Sequence, residues 1–273
     1  NLFVAFAALS LYKVTEILFG FKDQNLSFFV FFGTLFAYNY MRLPIFFNTK
    51  KEIKKLEWRH KYKYLTYIIL LSSFVSIIFL FSLLGWNFIR LTIPALVISL
   101  FYPLSFSTNN KTYRLRSIPF FKIFLIGFVW AYITLLLPLL YHSFPIDYTL
   151  LDFFFQRFLF LVAISIPFDM RDISFDDIKT LPNTIGIHES KIFAWFCLLL
   201  IDILLIIDVI NNVITIPIFI ALFLSIEASS IVIVPAPPPM EDALAKNPWW
   251  EGMIWVEEGT DWLYGTYVSP AES

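Results

Sequence analysis

Hydrophobic residues follow one another in long runs along this chain, and most polar residues are confined to the segments between the runs. The runs lack the two-residue alternation of β-barrel strands, so we interpret each of them as an α-helix. A helix needs roughly 20 mostly apolar residues to cross a bilayer. Eight runs approach or reach that length: residues 2–20, 25–47, 64–85, 88–106, 118–140, 149–168, 191–209 and 212–228.

Basic residues collect in every second connection between these runs. The alternate connections contain a single basic residue, Lys22. The positive-inside rule therefore predicts that the three basic loops and the N-terminus face the cytoplasm, and we expect a bacterial-type cytoplasmic membrane. The basic residues concerned are Lys50, Lys51, Lys54, Lys55, Arg59, Lys61 and Lys63, then Lys111, Arg114 and Arg116, then Arg171 and Lys179.

The composition supports an integral membrane protein. Of the 273 residues, 59% are hydrophobic and 15% are charged, with a mean hydropathy of +0.74. An ordinary soluble domain is nearer a quarter charged. We find no Gly-rich phosphate loop, zinc-ligand spacing or nucleic-acid motif, so no nucleic-acid partner is expected. The predicted fold class is an all-α, polytopic bundle of eight to nine transmembrane helices with a central cavity.

The two termini differ from the body of the chain. The sequence begins in an apolar segment without Met or a signal peptide, and we expect its N-terminus to be truncated. Residues 1–230 form the predicted transmembrane domain. The stretch "PAPPP" predicts a stiff linker within residues 231–273, which end in an acidic, Trp-rich tail of uncertain order. We expect a poorly ordered tail or an aberrant continuation of the reading frame, and a small docking module is the alternative.

Four aspartates lie within nine positions at the end of the sixth run, in "IPFDMRDISFDDIKTLPNTIG". If the helix continues past Phe168, Asp169, Asp172 and Asp176 share one helical face. Carboxylates are the usual ligands of Mg²⁺, which is commonly held together with substrate phosphates. The spacing thus predicts a Mg²⁺-diphosphate site at the membrane boundary. A solvated acidic loop paired with Arg171 and Lys179 is an equally compatible interpretation.

Several segments resemble the UbiA-type membrane prenyltransferases. "DMRDISFDDIKTLPNTIG" is similar to that family's second aspartate-rich motif, and "FFGTLFAYNYMRL" lies where the family has its first Asn-Asp motif. "SLFYPLSF" and "YRLRSIPFFKIFLIGFVWAYIT" resemble the family's Tyr-Pro segment, basic loop and fifth helix. By order and topology the likeness covers residues 1–228.

The resemblance implies transfer of a prenyl group from a polyprenyl diphosphate to a hydrophobic acceptor, such as an aromatic acid or quinone precursor, within the lipid bilayer. It implies that Asp169, Asp172 and Asp176 hold a catalytic Mg²⁺. The residues expected to bind the diphosphate are Asn39, Arg42, Lys111, Arg114, Arg116, Arg171 and Lys179.

One motif departs from the family pattern. Where Asn-Asp-x-x-Asp is common, this chain has Asn39-Tyr40-Met41-Arg42-Leu43, so both acids are absent. An alternative function is therefore a catalytically degenerate relative that binds a lipid or isoprenoid or scaffolds a membrane complex. A small-solute transporter is a third possibility, but the sequence has no inverted-repeat signal.

A few charged residues fall inside the predicted helices. Charges at such depth can mark a functional cavity, yet they also snorkel to an interface or pair with another helix. For Arg90, Asp152 and Arg157 we favour the structural role, and Asp152 and Arg157 are too far apart in sequence for a same-face pair. Asp202 and Asp208 are likewise expected to be structural or interfacial.

Overall fold

The structure is a computed structural model. It describes the backbone of residues 2–47, 63–101, 105–108, 111–114, 121–171 and 180–233, and the side chains of residues 2–41, 64–99, 121–170 and 180–231. In chain order the elements are α1 (Leu2–Phe19), α2 (Gln24–Phe47), α3 (Lys63–Phe101), β1 (Ser105–Thr108), β2 (Lys111–Arg114), α4 (Phe121–Ala131), a π-helical turn (Tyr132–Leu136), α5 (Leu137–Tyr141), α6 (Tyr148–Arg171), α7 (Leu181–Ile185), α8 (Ile187–Ile210) and α9 (Ile216–Ile233).

The protein is mainly helical, and each predicted run overlaps a helix, although the run predicted at 88–106 is helical only to Phe101. Within the described residues, five helices are long and apolar enough to cross a membrane, which indicates a multi-pass membrane protein. Large apolar side chains point outward from them, as Leu71 and Trp86 do at 65% and 70% exposure. The predicted count of eight to nine spans is not confirmed. The five spans are Leu2–Phe19, Tyr64–Ser99, Phe121–Tyr141, Tyr148–Met170 and Ile187–Ile210, and Ile216–Ile231 is a shorter apolar helix.

Helix α3 is broken at Gly85, whose φ of 80° and ψ of 179° are not helical. The rings of Phe81 and Phe88, on either side of the break, both lie against Phe29 of α2, with centroid distances of 5.3 and 4.7 Å. Further along α2, the ring of Phe36 contacts Phe74 from the first half of α3 at 5.6 Å. Residue 99, from the second half, reaches the same part of α2. The two halves of α3 therefore run in opposite directions, which agrees with two predicted runs there.

The helix termini gather at two ends of the bundle. At the turn end, residues 20–23, Gly85 and residues 142–147 come together. The rings of Phe21 and His142 are 4.7 Å apart, and the Tyr141 hydroxyl donates to the Leu84 carbonyl over 3.2 Å. At the opposite loop end, α2, α3 and α6 finish while α4 and α8 begin. The helix ends that flank the three basic loops thus share one side of the bundle.

Two hydrophobic clusters hold the helices together. One is built from α4, α6, α8 and α9, and the other from α1, α2, α3 and the helical segment around the π-turn. Helices α4 and α6 approach closely at Gly127, where an added Cβ would lie 3.1 Å from Cγ2 of Val162. This contact is part of the packing of α4 along α6.

A short antiparallel hairpin, β1–β2, precedes α4. Thr108 pairs with Lys111, so only Asn109 and Asn110 lie between the strands in sequence. Two-residue hairpin loops favour Asn because it tolerates positive φ. The prediction of a transmembrane run to residue 106 followed by a loop is therefore wrong at residues 105–106, which belong to β1. Four-residue strands are too short to show a hydrophobic period.

Candidate functional site

The structure describes the side chains of two of the predicted site residues, Asn39 and Asp169. Arg42 and Arg171 belong to α2 and α6, and Lys111 and Arg114 to β2, but their side chains lie outside the described residues. Asp172, Asp176, Arg116 and Lys179 lie outside them entirely. Asn39 and Asp169 both occupy the half of the bundle nearest the loop end.

Asp169 lies in the last turn of α6 and pairs with Lys122 in the first turn of α4. Nζ of Lys122 is 2.9 Å from Oδ1 of Asp169, and the two side chains are 19% and 7% exposed. A carboxylate buried to this extent requires a compensating charge. Lys122 supplies it, so the described structure gives Asp169 a protein cation as partner.

Lys122 was not among the residues predicted for the site. Its signal in the sequence is a single charge in the otherwise apolar segment "IPFFKIFLIG", close to the predicted start of the fifth run. An ionisable residue inside a membrane segment is by default a candidate functional residue, and a partner of opposite charge is expected close to it. The rule identifies Lys122 as a candidate, but the sequence does not identify its partner.

Asn39 is buried on α2 and donates from Nδ2 to the Leu35 carbonyl over 2.7 Å. Its neighbours Tyr38 and Met41 line a cavity between α1, α2, α3 and the helical segment around the π-turn. The cavity has a volume of about 80 Å³ and is largely apolar, with Thr34, Ser99 and Thr134 among its lining residues. Ligand pockets typically hold about 300–1,000 Å³, so the described residues do not confirm the predicted central cavity.

Arg157 occupies the middle of the bundle, where it joins α1, α6 and the π-turn. Its Nη1 donates to the Leu11 carbonyl at 2.7 Å, to Oγ1 of Thr15 at 2.6 Å and to the Thr134 carbonyl at 3.2 Å. Pro138 explains why that last carbonyl is free to accept. In an α-helix the N–H of residue 138 would bond to it, but proline has no N–H.

The π-turn at Tyr132–Leu136 accommodates the same proline, and its Leu137 N–H bonds to the Tyr132 carbonyl instead. The Thr134 carbonyl also accepts from the Thr15 hydroxyl over 2.8 Å. Among the described residues, all of Arg157's hydrogen-bond partners are uncharged. The structure thus shows Arg157 joined to other helical segments, which is one of the two structural arrangements expected for it.

A second polar group joins α6 to α8 nearer the turn end. The Gln156 amide donates to carboxylates of Asp152 and Asp208 over 2.7 and 2.8 Å. Asp208 and Gln156 are both buried. Asp208 thus joins α8 to α6, which is compatible with the structural role expected for it. Asp152 and Arg157 have different partners, as their spacing predicts.

The turn end carries a third polar group around Glu16 of α1. Lys13 Nζ is 2.6 Å from Glu16 Oε2 and 2.6 Å from the Ser27 hydroxyl, and Asp23 N–H donates to Glu16 Oε1 over 2.9 Å. His142 Nε2 lies 3.4 Å from Asp23 Oδ2. The group links α1, α2 and α5, at the opposite end of the bundle from Asp169.

Of the three expected Mg²⁺ ligands, the structure describes Asp169, whose hard carboxylate oxygen is the donor type that Mg²⁺ prefers. The other two expected ligands, Asp172 and Asp176, belong to the segment that is not described. Over the part of the chain that is described, no group of three or more His, Cys, Asp or Glu could hold a metal ion. Asp169 alone therefore represents the predicted metal site in the structure.

Comparisons with protein-family models, with characterised proteins and with solved structures gave no significant match. The resemblance to the UbiA-type prenyltransferases therefore stays a prediction from the sequence motifs.

Proposed function

We propose that this protein transfers a prenyl group from a polyprenyl diphosphate to a hydrophobic acceptor, such as an aromatic or quinone-precursor compound, and that the reaction requires Mg²⁺. The observation that carries the proposal is the buried Asp169 carboxylate at the loop end. It begins the aspartate cluster and lies at the same end as the helix termini that flank the three basic loops. Such an arrangement suits an anionic headgroup that enters from the membrane boundary.

In the proposed reaction the bond between C1 of the prenyl chain and the diphosphate oxygen breaks, and its electron pair leaves with the diphosphate. C1 then bonds to a nucleophilic atom of the acceptor, which releases a proton. Negative charge grows on the leaving group, so donors aimed at it lower the barrier. When bound, Mg²⁺ supplies Lewis-acid stabilisation of that charge.

The chain's own residues divide the remaining work. Asp169, Asp172 and Asp176 would hold the metal, and Lys and Arg side chains donate hydrogen bonds to the phosphate oxygens that the metal leaves uncovered. The apolar helices of the bundle provide the surroundings that a prenyl chain requires. The proposed diphosphate donors are Asn39, Arg42, Lys111, Arg114, Arg116, Arg171 and Lys179.

A second candidate is a catalytically degenerate protein of the same fold that binds an isoprenoid lipid. Two observations favour it: Tyr40 and Leu43 stand where the resembled family commonly has acids, and Lys122 already neutralises Asp169. Such a protein would bind a polyprenyl diphosphate and release no pyrophosphate.

Pyrophosphate release separates the two candidates. Detergent-purified protein is given polyprenyl diphosphates of several chain lengths and a lipid-extract acceptor, with and without Mg²⁺. We expect Mg²⁺-dependent release that is lost in Asp169→Asn. The matched control is Asp147→Asn at the turn end, where Asp147 Oδ1 caps α6 by accepting from the Leu150 N–H over 2.9 Å. Asparagine caps a helix as well as aspartate does.

Release that is equally lost in Asp147→Asn would indicate a general loss of folding and remove the support for Asp169. Binding of the diphosphate without release at any chain length, in folded protein, would favour the degenerate relative.

We further propose that the loop end faces the cytoplasm, because the three basic loops belong to it. The chain's single cysteine, Cys197, is buried, so introduced cysteines can report on sidedness. In intact cells, a membrane-impermeant maleimide should label Ile146→Cys at the exposed turn end and spare a cysteine in the 48–62 loop. The reverse labelling pattern would invert the proposed orientation.

A further inference from the structure

Asp202 and Glu227 place carboxylates deep in the apolar part of the bundle, on the neighbouring helices α8 and α9. Asp202 lies eight residues before α8 ends at Ile210, and Glu227 lies eleven residues after α9 begins at Ile216. A helix rises about 1.5 Å per residue, so they lie about 12 and 17 Å from the turn between α8 and α9. The hydrocarbon core of a bilayer is about 30 Å thick, which puts both carboxylates in its central third.

Neither carboxylate has a cation beside it in the part of the chain that the structure describes. Oδ1 of Asp202 is buried and has no hydrogen-bond partner. Glu227 is exposed, and its Oε2 accepts from the Ser230 hydroxyl over 3.5 Å. The two carboxylates are close enough for their charges to act on each other. Carboxylates at such depth are costly and are normally paired with an opposite charge, so the described residues leave this pair incomplete.

Exposed apolar side chains flank the two carboxylates. Ile201 and Ile226, the residues immediately before them, are buried in the hydrophobic cluster that α8 and α9 share, so the carboxylates lie at the edge of that contact. The side chains that share a helix face with either carboxylate are at least 47% exposed, and they are Leu199 and Ile206 on α8 and Ile220 and Leu224 on α9. These four residues, Asp202 and Glu227 make up the α8–α9 surface.

We propose that the α8–α9 surface is a docking site for a transmembrane helix of another protein, and that this helix carries a Lys or Arg at mid-membrane depth. The cation pairs with Asp202 and Glu227, and the apolar residues of the surface pack against the partner helix. In a bilayer, packing and polar contacts between helices drive association, because apolar side chains gain little over lipid. The charge pair therefore determines which helix binds.

Charge complementarity favours a different protein over a second copy of this chain. The exposed Lys and Arg residues that the structure describes are Lys22 and Arg90, both close to the turn end, and the half-exposed Lys13 is paired with Glu16. A second copy therefore offers no exposed cation at the required depth within the described residues. Residues 236–273 contain seven acids and one base, so their charge does not complement the surface either.

A synthetic helix tests the proposal directly. The purified full chain is reconstituted in phosphatidylcholine vesicles with a Leu-Ala peptide of about 20 residues that carries either Lys or Leu at its centre. A dansyl group on the peptide accepts energy from the protein's tryptophans, of which Trp195 is exposed on α8. We expect the lysine peptide to bind at least about five-fold more tightly than the leucine peptide.

The preference for lysine should be lost when Asp202→Asn and Glu227→Gln are combined. Glu189→Gln is the matched control, because it removes an exposed carboxylate from the first turn of α8, and it should keep the preference. Glu227→Leu, which suits a lipid-facing position, replaces Glu227→Gln if the combined variant does not fold.

Three results would overturn the proposal. One is equal binding of the two peptides by the unsubstituted chain. Another is a lysine preference that persists in the combined variant or disappears equally in Glu189→Gln. The third is self-association of the chain that is lost in the combined variant, without a lysine preference, which would make the α8–α9 surface an interface between copies.

Discussion

The Lys122–Asp169 pair makes a quantitative prediction about stability. Removing one partner of a buried ion pair costs about 3–5 kcal/mol, because it leaves the other charge buried and unpaired. Lys122 is 19% exposed and the pair lies near one end of the bundle, so part of this cost is relieved by solvent. We expect Lys122→Gln to lower the free energy of unfolding by about 2–3 kcal/mol.

Asp169→Asn should cost less, about 1–2 kcal/mol, because the lysine that remains can turn its ammonium towards solvent. The double variant leaves no unpaired charge. Its loss of unfolding free energy should be about 1.5–2 kcal/mol smaller than the sum of the losses in the two single variants. This difference is the coupling energy of the pair. Lys122→Gln is expected to cost more than Asp169→Asn because Asp169, the charge that Lys122→Gln leaves unpaired, is the more deeply buried of the two.

The assay is denaturant unfolding of the four proteins in detergent, followed by tryptophan fluorescence and circular dichroism. Asp147→Asn again serves as the charge-loss control at the turn end. If the losses in unfolding free energy of the two single variants sum to that of the double variant within about 0.5 kcal/mol, Lys122 and Asp169 do not stabilise each other, because the effects of independent sites add to that precision. A larger cost for Asp169→Asn than for Lys122→Gln would refute the argument from exposure.

Two further predictions concern the middle of the bundle and the break in α3. Gly85→Ala should destabilise the protein by about 1–3 kcal/mol in thermal unfolding, because alanine is strained at positive φ. Gly33→Ala is the control and should change the stability little, because no atom outside the adjacent residues and the helix backbone lies closer than 3.9 Å to the new Cβ. Equal effects of the two substitutions would exclude backbone strain as the cause. Arg157→Ala should lower the free energy of unfolding by about 2–4 kcal/mol, because hydrogen bonds and packing across three helical segments are lost. Arg90→Ala, at an exposed position, should lower it by less than about 0.5 kcal/mol. A near-neutral Arg157→Ala would show that those segments are held by apolar packing alone.

The helical runs could be predicted because burial in a bilayer requires continuous apolar sequence, a signal that survives without any tertiary information. The break at Gly85 also agrees with the gap between two predicted runs. The strands at 105–108 and 111–114 could not be predicted in the same way, since strands of four residues offer no measurable period.

The contacts of single charges were harder to predict. Arg157 has no carboxylate partner among the described residues, and its position depends on a carbonyl freed by Pro138 on a different helix. Lys122 and Asp169 are 47 positions apart, and the packing of α4 against α6, which includes the close approach at Gly127, brings them together. Such pairings depend on three-dimensional packing, which hydropathy and spacing within one segment do not encode.

Prenyl transfer by this protein can be tested by detecting the prenylated product itself. Membranes containing the chain are incubated with an isotope-labelled polyprenyl diphosphate and Mg²⁺, and the lipid extract is examined by mass spectrometry for a labelled, prenylated acceptor. We expect a labelled adduct that requires Mg²⁺, is absent with Asp169→Asn and is retained with Asp147→Asn. No adduct from folded protein at any prenyl chain length, or an adduct that persists in Asp169→Asn, would contradict the proposed function.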